Sequence, residues 1–143
     1  MVHVSIFLEN KMGHFGRVTR VLRDSGINIR AISLTHTANG WGVLHLLVDN
    51  PEQAQTALKN AGLSAALRRI FVFEMEDRPG GLDELLLKIG QAGVNIINAY
   101  GQLARGDNAQ AYLIADVDDY DAALPLIKAQ GLNPVEDNII YKN

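Results

Sequence analysis

Val72-Phe73-Glu74-Met75-Glu76-Asp77-Arg78-Pro79-Gly80-Gly81-Leu82 repeats, at a shift of 67 residues, the earlier run Ser5-Ile6-Phe7-Leu8-Glu9-Asn10-Lys11-Met12-Gly13-His14-Phe15. Glu9 meets Glu76, Asn10 meets Asp77, Lys11 meets Arg78 and Gly13 meets Gly80. Working outward, the same shift pairs Gly26-Ile27-Asn28-Ile29 with Gly93-Val94-Asn95-Ile96, then Leu46 with Leu113 and Asp49 with Asp116. Gly62-Leu63 matches Gly131-Leu132, so two extra residues are expected after Asp116. A long, ordered and nearly gapless self-match marks a duplication. The expected halves are residues 1–68 and 69–143, joined at Arg68-Arg69. A unit this small exposes too much surface to be robust alone, so the halves are expected to pack on each other or on a second chain.

Each half reads as βαββαβ. His3 to Glu9 is rich in β-branched and aromatic residues and predicts a strand. Phe15, Val18, Val21 and Leu22 recur at helical spacing, and Gly26 ends that helix. Ile29–Thr37 and Val43–Val48 predict a hairpin about Asn39-Gly40. Asn50-Pro51 supplies an N-cap and a first-turn proline for a second helix, which stops at Gly62, and a short strand follows from Ser64. The second half repeats the pattern, with strands near 94–104 and 109–116, a helix near 120–130 and a last strand reaching Tyr141. The predicted class is α+β: two ferredoxin-like repeats, helices packed on antiparallel sheets.

The chain has 143 residues, 13 Lys+Arg, 16 Asp+Glu and no cysteine, a net charge of −3. The acidic balance argues against a nucleic-acid partner, which calls for a clustered basic face. No apolar run reaches the ~18 residues that span a bilayer, and the first residues show no export signal, so a cytoplasmic protein is expected. Without cysteine there is no disulfide, thiolate nucleophile or zinc–thiolate site. His36 and His45 are expected on one sheet face, but two ligands without a third make a poor metal site, and no metal or cofactor is expected. Ser, Thr and Asp residues show no base beside a nucleophile, so no catalytic triad is read. Trp41, beside the turn, reads as a packing or interface residue.

The candidate binding residues lie in two places. Asn10-Lys11-Met12-Gly13-His14 and Asp77-Arg78-Pro79-Gly80-Gly81 connect first strand to first helix. A helix N-terminus offers unpaired N–H groups and partial positive charge, and glycine permits close approach, so a carboxylate fits there. The plainer reading is that Gly13 and Gly80 only make the turn. Asn28 and Asn95 follow the helix-ending glycines. As turn residues they bond their own backbone; as ligand residues each amide can accept from an ammonium and donate to a carboxylate, the two groups of a free amino acid. Charge also divides unevenly: residues 1–67 carry 6 basic and 4 acidic groups, residues 68–143 carry 7 and 12. Arg17, Arg20 and Arg23 recur on the first helix, which suggests that the positive half of one chain meets the negative half of another.

The run Glu76-Asp77-Arg78-Pro79-Gly80-Gly81-Leu82, a helix, then Ala92-Gly93-Val94-Asn95-Ile96, resembles the ACT domain. The first half resembles it too, with Met12 where proline is usual. The resemblance covers nearly the whole chain as two repeats without a catalytic domain. It implies a non-catalytic, amino-acid-responsive regulatory module, a homodimer, with a regulated enzyme or regulator as partner and effector sites where ACT units meet. The alternative is a structural module that binds a protein and no ligand. Carried over, the implied ligand-binding positions are Asn10, Met12, Gly13, His14, Phe15, Asn28 and Ile29, and Asp77, Pro79, Gly80, Gly81, Leu82, Asn95 and Ile96. A serine-binding member of the family uses a histidine two residues before the loop asparagine. Leu8 and Met75 stand there, which shifts the expected ligand towards a more apolar amino acid.

Overall fold

Alternation along the first strand sets the layers. In the computed structural model, which describes residues 1–103 and 109–137, β1 (Val2–Glu9) buries Val4, Ile6 and Leu8. The first compact unit, Val2–Arg68, continues with α1 (His14–Asp24), β2 (Ile29–His36), β3 (Trp41–Val48), α2 (Pro51–Asn60) and β4 (Ser64–Arg69). Its strands are hydrogen-bonded in the order β2-β3-β1-β4. Val18 and Leu22 of α1, with Ala54 and Leu58 of α2, close the core over Val4, Ile6, Leu8, Leu44 and Leu46. The second unit, Arg69–Glu136, contains β5 (Phe71–Glu76), α3 (Gly81–Gln91), β6 (Ile96–Leu103), β7 (Gln110–Val117) and α4 (Tyr120–Ala129). Its strands run in the order β5-β7-β6, and Phe71, Phe73, Leu85, Ile89, Leu113 and Ile127 make a separate core. The pairs β1–β3, β2–β3, β5–β7 and β6–β7 are antiparallel, and the two βαββαβ-like units have the ferredoxin-like arrangement.

Local chemistry sets the helix ends. The Asn50 side chain accepts from the Gln53 N–H at 3.1 Å, with Pro51 in the first turn, and Asp119 accepts from the Ala122 N–H at 3.0 Å. Gly26 (φ 69°) and Gly93 (φ 77°) stop α1 and α3 in the left-handed region that side chains disfavour.

Three readings need correction. Val4 pairs with Leu46 and Phe71 with Ala115, so β3 and β7 correspond at a shift of 69, and Leu46 does not match Leu113. The two extra residues therefore fall between Leu103 and Gln110, before β7. Next, His36 pairs with Gly42 and His45 with Ser33. Side chains alternate faces along a strand, so His36 and His45 point to opposite faces. Finally, a base does stand beside a hydroxyl. The Ser5 Oγ lies 2.9 Å from His45 Nδ1 and 3.3 Å from His3 Nε2, and the two imidazoles stack at 4.7 Å. His3 is fully buried, and the group packs as a polar patch on the sheet face away from the helices. The matching positions in the second unit are Ile70, Val72 and Ile114, all buried. Trp41 stacks on Phe7 at 5.0 Å, a packing role. The last strand, expected to reach Tyr141, is not formed over residues 132–137, and Tyr141 lies outside the described residues; the Val135 N–H donates to the Val72 carbonyl at 2.7 Å.

Candidate functional site

The loop into the first helix is built twice on one plan. In the first unit the Asn10 N–H donates to the Gly40 carbonyl at 2.8 Å, Lys11 N–H to Glu9 at 2.9 Å, His14 N–H to Lys11 at 3.2 Å and Arg17 N–H to Gly13 at 3.0 Å. In the second, Asp77 donates to Ala109 at 2.6 Å, Arg78 to Glu76, Gly81 to Arg78 and Glu84 to Gly80, each of the last three at 3.0 Å. Gly13 and Gly80 occupy the N-cap positions with φ of 86° and 90°, so both make the turn as the plainer reading had it. Neither α1 nor α3 takes a side-chain cap, in contrast to α2 and α4. Met12 and Pro79 are exposed, His14 is half-buried, and Phe15 and Leu82 stay partly in solvent.

The side chains around these loops differ. Lys11 pairs with Glu9 at 2.7 Å, and this hydrogen bond, aided by the lysine charge, holds the Glu9 carboxyl below its usual range. Arg78 bonds Glu76, and its Nη2 lies 2.9 and 2.8 Å from the two oxygens of Glu84. Those carboxylates, Glu76 first, push the guanidinium further above its ordinary value. Glu84 occupies the position of Arg17, which instead donates to the Ala61 carbonyl at the end of α2. The first turn of α3 thus carries Asp83 and Glu84, whereas that of α1 carries no acid. Gly81, the counterpart of His14, has no room for a side chain: a Cβ there would stand 2.2 Å from the Glu76 carbonyl oxygen. The replacement of Arg17 by Glu84 is legible in the sequence under the 67-residue shift; the contacts that each residue makes are not.

The asparagines sit elsewhere. Asn28 and Asn95 are exposed, just before β2 and β6. The Asn28 N–H donates to Asp49 Oδ1 at 3.1 Å and its carbonyl accepts from the Asp49 N–H at 3.1 Å. Ile29 and Ile96 are half-buried, packed against the two cores. Because β1 and β2 both pair antiparallel with β3, they run parallel to each other. The Asn10–Gly13 loop leaves the far end of β1 and Asn28 precedes the near end of β2, a separation of roughly 25–30 Å at about 3.3 Å per residue. One repeat does not bring its own loop and asparagine together. Arg23 of the basic stripe pairs with its neighbour Asp24 at 2.8 Å.

Among the described residues no group of three metal-ligating side chains converges, and no helix is long and apolar enough to cross a membrane.

Two βαββαβ-like repeats, each opening its first helix on a left-handed glycine, define a tandem ACT arrangement. The sequence matches the family described as ACT domain pair over residues 1–142, and the chain belongs to that family. Among solved structures it is similar to protein BT0572 from Bacteroides thetaiotaomicron, at 27% identity over 99% of this chain and 96% of that one, with a TM-score of 0.86. It shares its fold with the ligand-free regulatory subunit of aspartate kinase from Thermus thermophilus (17% identity, 90% and 91% coverage, TM-score 0.63). The regulatory subunit from Thermus flavus is similar too (17% identity, 92% and 95% coverage, TM-score 0.55). No curated protein matches the chain.

Proposed function

We propose that the chain is a non-catalytic regulatory module that binds a free amino acid and passes the binding energy to a partner enzyme or regulator. The observation that carries this reading is the doubled loop: α1 and α3 open on left-handed glycines with no side-chain cap, while α2 and α4 are capped by Asn50 and Asp119. In this reading the ligand carboxylate meets backbone N–H groups at Gly13 or Gly80. Its ammonium meets the amide oxygen of Asn28 or Asn95. Since one repeat holds its loop and asparagine at opposite ends of the sheet, the two must come from different repeats, and a homodimer supplies such pairs. Binding then favours one packing of the repeats, a coupling of about 1–3 kcal/mol to the target. A cytoplasmic location fits this role. The family membership and the fold shared with aspartate kinase regulatory subunits support a regulatory part.

Titration calorimetry with Asn28→Ala and Asn95→Ala chains tests the assignment. At least one variant is expected to lose affinity about tenfold, the effect of removing one hydrogen bond to a charged group. Affinity unchanged in both would remove the asparagines from the site.

A further inference from the structure

Among the described strands β6 forms one edge of the second unit's sheet, in the order β5-β7-β6. Residues directly opposite on paired strands share a face. Ala99 lies opposite Ala115, Gly101 opposite Leu113 and Leu103 opposite Ala111. Leu113 and Ala115 belong to the core beneath the helices, so these three β6 residues sit on the helix side. They are nonetheless exposed, Leu103 by 67%, and so is Ile97, by 53%, where the register shifts at the start of the strand. The placement of α3 accounts for this. Leu85 and Ile89 point into the core, and Gly81, Glu84, Leu85 and Lys88 line a cleft beside β5. At about 100° per residue, Leu82, Leu86 and Gly90 fall on the opposite flank, towards β6. All three are exposed. Leu82, Leu86, Ile97, Ala99, Gly101 and Leu103 thus make an uncharged strip along one edge of the repeat. The first repeat is charged at matching positions: Arg23 stands for Gly90, Arg30 for Ile97 and His36 for Leu103.

We propose that this strip is the surface on which a second copy of the chain docks, second repeat against second repeat about a two-fold axis. The open N–H and C=O groups of an edge strand recruit other strands, and monomeric proteins guard such edges with charge, proline or a covering segment. β6 has eight residues, none of them charged and none proline. An antiparallel copy of β6 satisfies both edges at once, and a two-fold axis makes that contact self-complementary. The same axis brings the Leu82–Leu86 flank of each α3 against its copy. Charge selects which part of the second copy fits. The first repeat's flank would desolvate the Arg23–Asp24 pair against a strip with no opposite charge to offset the loss. The strip set against itself brings no charge into the contact. The proposal gives the homodimer of the functional reading its surface, and it stands whether or not an amino acid binds.

The test is sedimentation equilibrium of the full chain over a wide micromolar range. The unmodified chain is expected to dimerise. Leu86→Glu and Leu103→Lys, both at exposed positions, are each expected to raise the dimer dissociation constant at least about tenfold, because each buries a charge in the contact. Ile32→Glu, on the helix side of the first repeat's edge strand, is expected to leave it unchanged. Cooperative circular dichroism melts check that the variants fold. Should one fail to fold, hydrogen exchange of the unmodified chain decides. On concentration, amides of residues 96–103 are expected to slow and those of 29–36 to keep their rates. A chain that stays monomeric would overturn the proposal, its strip then belonging to a different protein. So would a dimer indifferent to Leu86→Glu and Leu103→Lys, a dimer that Ile32→Glu also breaks, or concentration-dependent protection of residues 29–36. Failure of the chain to bind any amino acid would overturn the ligand reading and leave this surface standing.

Discussion

The Nη2 atom of Arg78 lies 2.9 and 2.8 Å from the two carboxylate oxygens of Glu84, tying the loop after β5 to the first turn of α3. In the first repeat the corresponding residues, Lys11 and Arg17, carry like charges, and each turns to another partner: Lys11 to Glu9, Arg17 to the Ala61 carbonyl. One exchange of charge, arginine for glutamate, thus rewires the same loop. Arg78 and Glu84 are well exposed, so solvent screens the pair. Glu84→Gln is expected to destabilise the chain slightly at low salt and by less at 1 M salt, read from urea melts. A large loss would mean that the pair holds the fold rather than the loop.

Glu9 carries a measurable electrostatic signature. Its carboxyl is lowered by the hydrogen bond from Lys11 and by the lysine charge. A group lowered in the folded state adds stability at neutral pH and loses it as pH falls through the folded value, below the ordinary glutamate range of about 4.3. NMR titration of Glu9 is expected to give a midpoint below that range, and Lys11→Met is expected to raise it. A midpoint indifferent to Lys11→Met would contradict the contact.

Met12 stands where the second repeat has Pro79 and is fully exposed. Proline there would restrict the unfolded chain at a position whose counterpart already accommodates it. Met12→Pro is expected to stabilise the protein by about 0.4–1 kcal/mol. Destabilisation would show that the two loops differ in backbone more than their shared hydrogen bonds indicate.

The capped helices provide the contrast on which the functional reading leans. Asn50→Ala and Asp119→Ala each remove a cap on one backbone N–H and are expected to cost about 1 kcal/mol. Neither is expected to alter amino-acid binding. A thermal melt with and without ligand checks both statements.

Much of the architecture was legible because local chemistry dictated it. The left-handed glycines, the Asn50 cap and the apolar spacing of Val18 and Leu22 act within a few residues of themselves. The duplication exposed the loops through Glu9/Glu76 and Gly13/Gly80. What failed depended on register between distant segments. A two-residue insertion slides invisibly along a strand until a pairing such as Phe71 with Ala115 fixes it. Separately, a one-residue difference in the register of the first repeat's hairpin, His36 opposite Gly42, puts His45 on the other face and hides its contact with Ser5. The candidate site was legible as two clusters. Their placement at opposite ends of one sheet follows from the parallel course of β1 and β2, which motif spacing does not encode.

Thermal denaturation with each of the twenty amino acids at millimolar concentration tests the account most directly. A specific ligand at about 100 times its dissociation constant adds roughly 2.7 kcal/mol, which for a chain of this size raises the melting temperature by roughly 5–10 °C. The account predicts such a rise with one amino acid or a few chemically related ones. Twenty unshifted melts, with no heat in the matching calorimetry, would contradict it and leave the repeat pair a structural module.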